Sequence, residues 1–185
     1  MPALSSLDLT FSPNRNWTAR LAQTGYNSIT KTDQFNTPVI QMGTAQANNA
    51  VGGADMLLSA IYTIAASGNT TVDLTTFTDV LQRAAQSFAR VKYIEFWLQT
   101  AADNPSTPGT NASQVTVGAA GSNPFVMELG GTSPTKILKS GEFAVWGTRG
   151  ATGLTVSGTN KSILITNNDA SLSAVVQVTI AGGTT

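Results

Sequence analysis

The side chains that usually carry enzymatic chemistry are almost absent from this sequence. It contains no cysteine and no histidine, which excludes Ser–His–Asp and Cys–His nucleophilic sites, thiolate metal sites and disulfides. Histidine is also the commonest general base and the commonest metal ligand. The sequence therefore predicts a protein that is not an enzyme, with no catalytic residue, no cofactor and no bound metal.

Three carboxylates remain as candidates for a two-carboxylate hydrolase, which stays open as an alternative. Asp73 is placed to accept hydrogen bonds from turn amides. Asp79 is placed near the start of the predicted short helix, where its negative charge would stabilise the positive end of the helix dipole. Glu95 lies in an apolar strand, with Arg90 and Lys92 on the opposite pleat, so a partner for it must come from another strand. For Asp73 and Asp79 a structural role is favoured over catalysis, and for Glu95 an exposed position at a sheet edge is favoured.

Two other groups of residues have weak functional patterns. The segment Asn167–Asp169 lacks the spacing of a calcium loop and predicts a hairpin turn. Aromatic side chains can stack on sugar rings, and four of them are candidates for such a shelf, although core packing is the simpler interpretation. They are Tyr62, Tyr93, Trp97 and Trp146.

Composition points to a protein that works through its surface area. Apolar residues make up 41% of the 185 residues, enough for a core, while only 11% are charged. Ten basic and ten acidic residues cancel, which predicts no binding of nucleic acid or membrane and little repulsion between copies. The start of the chain lacks the features of a secretory signal, and no stretch approaches the roughly 18 apolar residues of a membrane span.

Residues 1–53 predict an extended N-terminal arm. Leu7, Leu9 and Phe11 alternate briefly as one short strand, and a polar, irregular segment follows. Spaced aromatic residues in such a segment indicate docking on a partner, and aromatic side chains dominate interface hot spots. The predicted interface anchors are Trp17, Tyr26 and Phe35.

Residues 54–185 predict a mainly β body, an antiparallel β-sandwich or jelly roll with one short helix. The helix is expected from Thr76 to about Gln86, because Phe77, Val80, Leu81 and Ala84 have helical spacing. Strands are indicated by β-branched and aromatic runs between turn residues. The predicted strands are Met56–Ala65, Thr70–Leu74, Phe88–Gln99, Gln114–Val117, Phe125–Leu129, Thr135–Leu138, Glu142–Trp146, Gly153–Val156, Ser162–Thr166 and Leu172–Ile180.

A family resemblance covers Ile61 to Gly182. A strand ending in Val72–Leu74 (VDL), a small capped helix, and a strand opening with Phe88–Lys92 (FARVK) resemble a recurring pattern in structural proteins of tailed-phage virions. Val115–Gly118, Ser140–Gly141 and Ile163–Asn167 agree with it. The resemblance implies a β-sandwich or jelly-roll body, no enzymatic activity and symmetric self-association, with a trimer favoured.

The expected function is that of a phage capsid decoration (cement) protein. It would stabilise the shell through contacts with the major capsid protein or other virion subunits, located in the virion after assembly in the host cytoplasm. The alternative is a tail or fibre component whose β-sandwich binds a glycan or receptor. Specific sugar binding would favour that alternative.

Overall fold

The computed structural model describes residues 9–11, 15–21, 29–35, 40–42, 53–54, 56–79, 84–101, 111–127, 135–147 and 153–183. The protein is mainly β, as predicted, and no helix occurs in these ranges. The strands of the N-terminal part are β1 (Leu9–Phe11), β2 (Arg15–Leu21), β3 (Ile29–Phe35), β4 (Ile40–Met42) and β5 (Gly53–Ala54). Those of the body are β6 (Met56–Ile64), β7 (Asn69–Asp73), β8 (Arg90–Leu98), β9 (Gln114–Ala119), β10 (Thr135–Lys139), β11 (Phe143–Gly147), β12 (Leu154–Thr155), β13 (Ser162–Asn167) and β14 (Ala174–Gly183).

Two antiparallel sheets form the body. One has the order β10-β9-β13-β7, and the other has the order β11-β8-β14-β6, with β12 also paired to β8. The pairing between β14 and β6 joins Leu58 to Ile180 and so brings together parts of the chain that are far apart in sequence. Strand β8 lies between β14 and β11, so it is a central strand of its sheet.

One hydrophobic core is shared by the two sheets. Side chains alternate between the two sides of a strand, and the side that faces the other sheet is buried. The central strands β8 and β14 are buried on both sides over most of their length. The four-stranded sheet contributes Val72, Val115, Val117, Leu138, Ile163 and Ile165, and the five-stranded sheet contributes Leu58, Ile94, Phe96, Leu98, Val176, Val178 and Ile180. Burying such side chains supplies roughly 1.5–3 kcal/mol each, which offsets the entropy cost of ordering the chain.

The N-terminal part has more strand pairing than the sequence indicates. Strands β2 and β3 pair antiparallel from Arg15↔Phe35 to Leu21↔Ile29, and β1, β4 and β5 form a small sheet. The prediction that this part of the chain is irregular apart from one short strand is therefore wrong for three segments, which form strands: Arg15–Leu21, Ile29–Phe35 and Ile40–Met42. The predicted boundary between arm and body falls inside β5, and the role of residues 1–53 as an arm stays a prediction.

The predicted short helix is not present in the described residues. Phe77 and Gln86 exchange backbone hydrogen bonds of 3.1 and 2.9 Å as an isolated antiparallel bridge, whereas a helix would separate them by about 13 Å along its axis. The bridge places Phe77 against Phe88, with ring centroids 4.4 Å apart and an interplanar angle of 19°. Phe77 thus lies in a loop that packs on the core, and residues 80–83, which include Val80 and Leu81 of the predicted helix, lie outside the described ranges.

Two further local predictions are wrong. Of the predicted strand Phe125–Leu129, the described residues Phe125–Met127 do not form a strand, and residues 128–129 lie outside the described ranges. Pro124 makes a single parallel bridge with Ser162, and Phe125 N donates to Ser162 O at 2.8 Å. Asn167–Asp169 is not a hairpin turn, because β13 and β14, which it separates, belong to different sheets. It begins a link that passes from one sheet to the other.

Candidate interaction surface

The five-stranded sheet has one face on the core and one face turned away from it, which we call the outer face. Directly paired residues of neighbouring strands lie on the same face, and residues two apart along a strand do as well. The register therefore assigns the outer face from edge to edge. Its members include Leu57, Ser59, Ile61, Thr63, Tyr93, Glu95, Trp97, Phe143, Val145, Gln177 and Thr179.

Large apolar side chains of the outer face are exposed near both edges of the sheet. On β11, Phe143 is 44% and Val145 46% exposed, and on β6, Ile61 is 57% exposed. Trp97 lies half-buried beside Phe143, with which it is paired. Gln177 and Glu95 lie between the two edges, so the exposed apolar residues form two separate areas on one face. Because exposed apolar area on one face marks an interaction site more often than a single apolar residue does, the outer face is the candidate interaction surface of the described residues.

The centre of the outer face carries the one acidic group that the sequence places in an apolar strand. Glu95 lies between Thr179 on β14 and Val145 on β11, and the Tyr93 hydroxyl donates a hydrogen bond to its Oε2. The expectation that its partner would come from another strand is wrong, because Tyr93 precedes it by two residues on the same face. The bond gives this half-buried carboxylate a local partner and a structural role. The exposed edge position predicted for Glu95 is also wrong, because β8 has a neighbouring strand on each side.

A bulge at Lys92 explains why the faces of β8 differ from simple alternation. The register between β14 and β8 passes from Ala181↔Tyr93 to Gly182↔Val91, so Lys92 has no opposite residue. Val91 therefore joins the core with Ile94, although alternation alone places Val91 on the side of Tyr93 and Trp97. Lys92 itself is fully buried.

The four aromatic side chains of the candidate sugar shelf are divided between two faces. Tyr93 and Trp97 lie on the outer face, whereas Tyr62 and Trp146 pack against the core from the inner side. Burial raises the pKa of Tyr62, as expected for a phenol removed from water. These residues thus do not form one platform.

The candidate catalytic carboxylates are likewise separated. Asp73, on β7 of the four-stranded sheet, accepts hydrogen bonds from Thr75 N at 2.7 Å and Thr75 Oγ1 at 2.6 Å, and it pairs with Lys161 Nζ at 3.2 Å. Partial burial pushes the pKa of Asp73 upward, but the bonds from Thr75 and Lys161 outweigh it, so the net pKa is lowered. This confirms the turn-bonding role predicted for Asp73. Glu95 lies on the other sheet.

Asp79 is buried at 2% exposure in the loop that follows β7, outside any helix. Its predicted place at a helix start is therefore wrong. No three acidic side chains gather into a possible metal site anywhere in the described ranges.

A cavity of about 370 Å³ opens between the two sheets where β10 and β11 form their edges. Its lining is apolar except for Lys136 and includes Phe96, Val117, Met127 and Trp146. Pockets of small-molecule ligands start at about this size and share this mixture of apolar walls and a few polar groups.

The link Asn167–Asp169 is a structural junction. The Asn167 side chain donates to three carbonyls, Ile64 O at 3.2 Å, Ala65 O at 3.0 Å and Leu172 O at 2.8 Å. The Asp169 carboxylate accepts from Ser113 N at 3.2 Å and from Ser171 N at 3.0 Å. These bonds tie the β6–β7 turn, the start of β9 and the crossing between sheets to one another, which excludes a free calcium loop.

The predicted interface anchors are only partly placed. Trp17 lies on β2, where its backbone pairs with Asp33, and Phe35 ends β3 opposite Arg15. Tyr26 lies outside the described residues. Their role as anchors stays a prediction. The outer face is a surface that the sequence analysis did not predict. The alternation of apolar residues along β6 and β11 is the sequence feature that could have indicated it.

No protein-family model matches the chain, and no curated protein matches it. In the part of the chain that the structure describes, no helix has the length and apolar character needed to cross a membrane.

Proposed function

We propose that this chain is a structural protein of a phage virion, most specifically a capsid decoration protein that stabilises the shell through contacts between subunits. The proposal gives it a jelly-roll body, an N-terminal arm made of residues 1–53, and a place in the virion after assembly in the host cytoplasm. It assigns no catalytic residue, cofactor, metal, nucleic acid or membrane. Its partners are the major capsid protein or other virion subunits, and further copies of itself, with a trimer favoured.

The strand order supports the jelly roll. With the short β12 set aside, the body has strands β6 to β11, β13 and β14 in chain order. One sheet then holds the first, eighth, third and sixth of them, and the other holds the second, seventh, fourth and fifth. This interleaving is that of a double-sheet jelly roll, an architecture that recurs in viral capsid and lectin domains.

The observation that carries the proposed function is the set of exposed apolar residues on the outer face, in a chain whose net charge is zero. Fold alone does not fix function. A shell-stabilising protein must bind by area and shape, however, and Ile61, Phe143 and Val145 are exposed on a single sheet face. The aromatic residues of a carbohydrate shelf are divided between the two faces of one sheet, and Asp73 and Glu95 of a two-carboxylate site lie on different sheets.

The direct test is to locate the protein in purified particles. Mass spectrometry and labelled-antibody electron microscopy are expected to find it on the outside of the head at a fixed ratio to the major capsid protein. The full-length variant Trp17→Ala/Tyr26→Ala/Phe35→Ala is expected to fold but to bind shells at least about 100-fold more weakly, since aromatic hot spots contribute 2 kcal/mol or more each. Leu172→Ala, at an exposed apolar body residue, is the matched control and should bind normally.

Removal of residues 2–46 tests the arm more severely. The shortened protein should remain folded and fail to join the particle. Unimpaired binding of either the triple variant or the shortened protein would refute the arm, and absence of the protein from particles would refute the function.

The alternative is a tail or fibre component that binds a glycan or receptor, and the cavity beside β11 is the feature that favours it. Trp146 and Lys136 line that cavity. Sugar titration would then shift Trp fluorescence in the wild type and not in Trp146→Phe, whereas Trp97→Phe, on the outer face, would keep the shift. The decoration proposal expects no saturable response to any sugar.

A further inference from the structure

The two edges of the five-stranded sheet lack the protection that edge strands usually carry. An exposed edge presents a row of backbone donors and acceptors and is normally guarded by charged side chains, proline or a cover. Neither β6 (MLLSAIYTI) nor β11 (FAVWG) contains a charged residue or a proline. In the described residues, β6 pairs only with β14, and β11 only with β8.

The edges of the four-stranded sheet are guarded, which makes the contrast specific. Strand β10 carries Lys136 and Lys139, both exposed, and Lys139 N donates to the Glu142 carboxylate at 2.9 Å. Strand β7 ends in Asp73, which is paired with Lys161. Charge thus protects one sheet of this body and not the other.

The hydrogen-bonding pattern shows which backbone groups of β11 point outward. Leu98 N donates to Glu142 O at 3.0 Å, so the backbone groups of Leu98 face β11. Since these groups alternate between the two sides of a strand, Phe96 and Ile94 also face β11 and bond to Ala144 and Trp146, their paired residues. The backbone groups of Val145 therefore point away from β8, towards the edge.

The same reasoning applies at the opposite edge. Gln99 N donates to Val175 O at 3.0 Å, so Val175 faces β8 and the next residue, Val176, faces β6. Val176 pairs with Tyr62, and the backbone groups of Ile61, like those of Ser59 and Thr63, point outward. The side chains of all three are exposed.

The two edges are complementary in direction. Each step from β11 to β8, from β8 to β14 and from β14 to β6 reverses the strand, so β11 and β6 run antiparallel to each other. When copies are related by rotation about an axis along the strands, β11 of one copy meets β6 of the next in antiparallel orientation. The sheet then continues from copy to copy, and Phe143 and Val145 meet the neighbour's Ile61 on one face.

We propose that this protein closes into a ring by pairing the β11 edge of each copy with the β6 edge of the next. Head-to-tail contacts of this kind form rings when the rotation closes. The ladder of backbone hydrogen bonds sets the register, and the apolar side chains of the outer face supply the area that a stable interface needs. The inference deepens the proposed function and rests on it only for the expectation of symmetric self-association.

The test uses the full-length protein in solution, measured by size-exclusion chromatography with light scattering. Val145→Lys blocks the β11 edge and Ile61→Lys blocks the β6 edge. Each variant alone is expected to be monomeric, with self-association weakened at least about 100-fold, because the interface would bury an unpaired charge. Ile137→Lys is the matched control: Ile137 is 52% exposed on the edge strand β10, and this variant should keep the mass of the wild type.

Mixing the two blocked variants gives the decisive result. Each retains the edge that the other has lost, so an equimolar mixture should form a heterodimer of twice the monomer mass and nothing larger. A symmetric β11–β11 contact would instead leave Ile61→Lys assembled, and a β6–β6 contact would leave Val145→Lys assembled. Either outcome, a monomeric wild type, or dissociation by Ile137→Lys would overturn the proposal.

A cross-linking experiment covers the case in which a lysine variant fails to fold. The chain has no cysteine of its own, so introduced cysteines can bond only to each other. Val145→Cys combined in one chain with Ser59→Cys, Ile61→Cys or Thr63→Cys should give a ladder of linked copies for the residue that lies opposite Val145, and Val145→Cys alone should give none. Absence of cross-links for all three pairs would overturn the ring, while binding to particles, assayed separately, would still test the proposed function.

Discussion

At the scale of the residue, the Asp169 carboxylate stabilises local backbone structure by accepting hydrogen bonds. Backbone donors from Ser171, Ser113 and Leu172 hold the pKa of Asp169 far below its usual range, against a smaller opposing effect of desolvation. The carboxylate is therefore a structural part of the crossing between sheets. Asp73 is likewise held by local hydrogen bonds, because its oxygens accept from Thr75 and Lys161.

The lowered pKa of Asp169 predicts a loss of stability in acid. A carboxyl group in an unfolded chain has a pKa of about 3.9, and the folded value is lower, so the unfolded state binds more protons as the pH falls. The stabilisation is complete above about pH 5 and declines as the pH drops towards the folded pKa.

Urea unfolding at about pH 7 and about pH 3 measures this effect. In Asp169→Asn, the difference in unfolding free energy between the two pH values should be smaller than in the wild type, and the variant should be less stable at pH 7 because its amide opposes the Ser113 N–H. An unchanged acid dependence would show that Asp169 does not titrate as described.

At the scale of the element, the pairing of β8 with β14 depends on a residue without a side chain. Gly182 lies where the register shifts past Lys92. A Cβ atom there would overlap the Arg90 carbonyl oxygen and come within 2.8 Å of Phe88 Cδ1. The bulge therefore requires glycine because the two backbones approach closely.

Gly182→Ala is expected to lower the free energy of unfolding by about 3 kcal/mol, the upper part of the range for overpacking. Gly121→Ala is the matched control, since a Cβ atom at Gly121 meets nothing within 4 Å, and it should change stability by less than about 0.5 kcal/mol. Urea denaturation of both variants measures the difference. Equal stability of the two would contradict the close approach.

Sequence patterns predicted most of the elements but not their partners. The boundaries of β6, β7, β8 and β13 were predicted within two residues, because apolar alternation and turn residues are local signals. The link at Asn167–Asp169 has the composition of a hairpin turn, and only the rest of the sheet shows that it crosses between layers. The helix predicted around Phe77 is not confirmed, because Phe77 forms an isolated bridge with Gln86 and stacks on Phe88.

At the scale of the whole molecule, a neutral surface should make assembly insensitive to salt. Ten positive and ten negative charges cancel, and the edges proposed to meet contain no charged residue. Salt weakens contacts between exposed charges and does not weaken apolar contacts.

The oligomer mass measured by light scattering should therefore stay constant between about 0.05 and about 1 M NaCl, a range over which the screening length falls to about 3 Å. The Ile137→Lys variant should behave in the same way, because its added charge lies on the other sheet. Dissociation by salt would show that ion pairs hold the copies together and would argue against an apolar interface.

The amino-acid sequence by itself determined the β class, the location of the turns and the poverty of reactive side chains, because each depends on residue type and short-range spacing. Only the tertiary structure decided which strands share a sheet, that the bulge at Lys92 moves Val91 into the core, and that Ile61 and Val145 lie on one outer face at opposite edges. The physical reason is that β-sheet pairing joins residues distant along the chain, so the face and the neighbour of each strand are set by packing across the whole molecule.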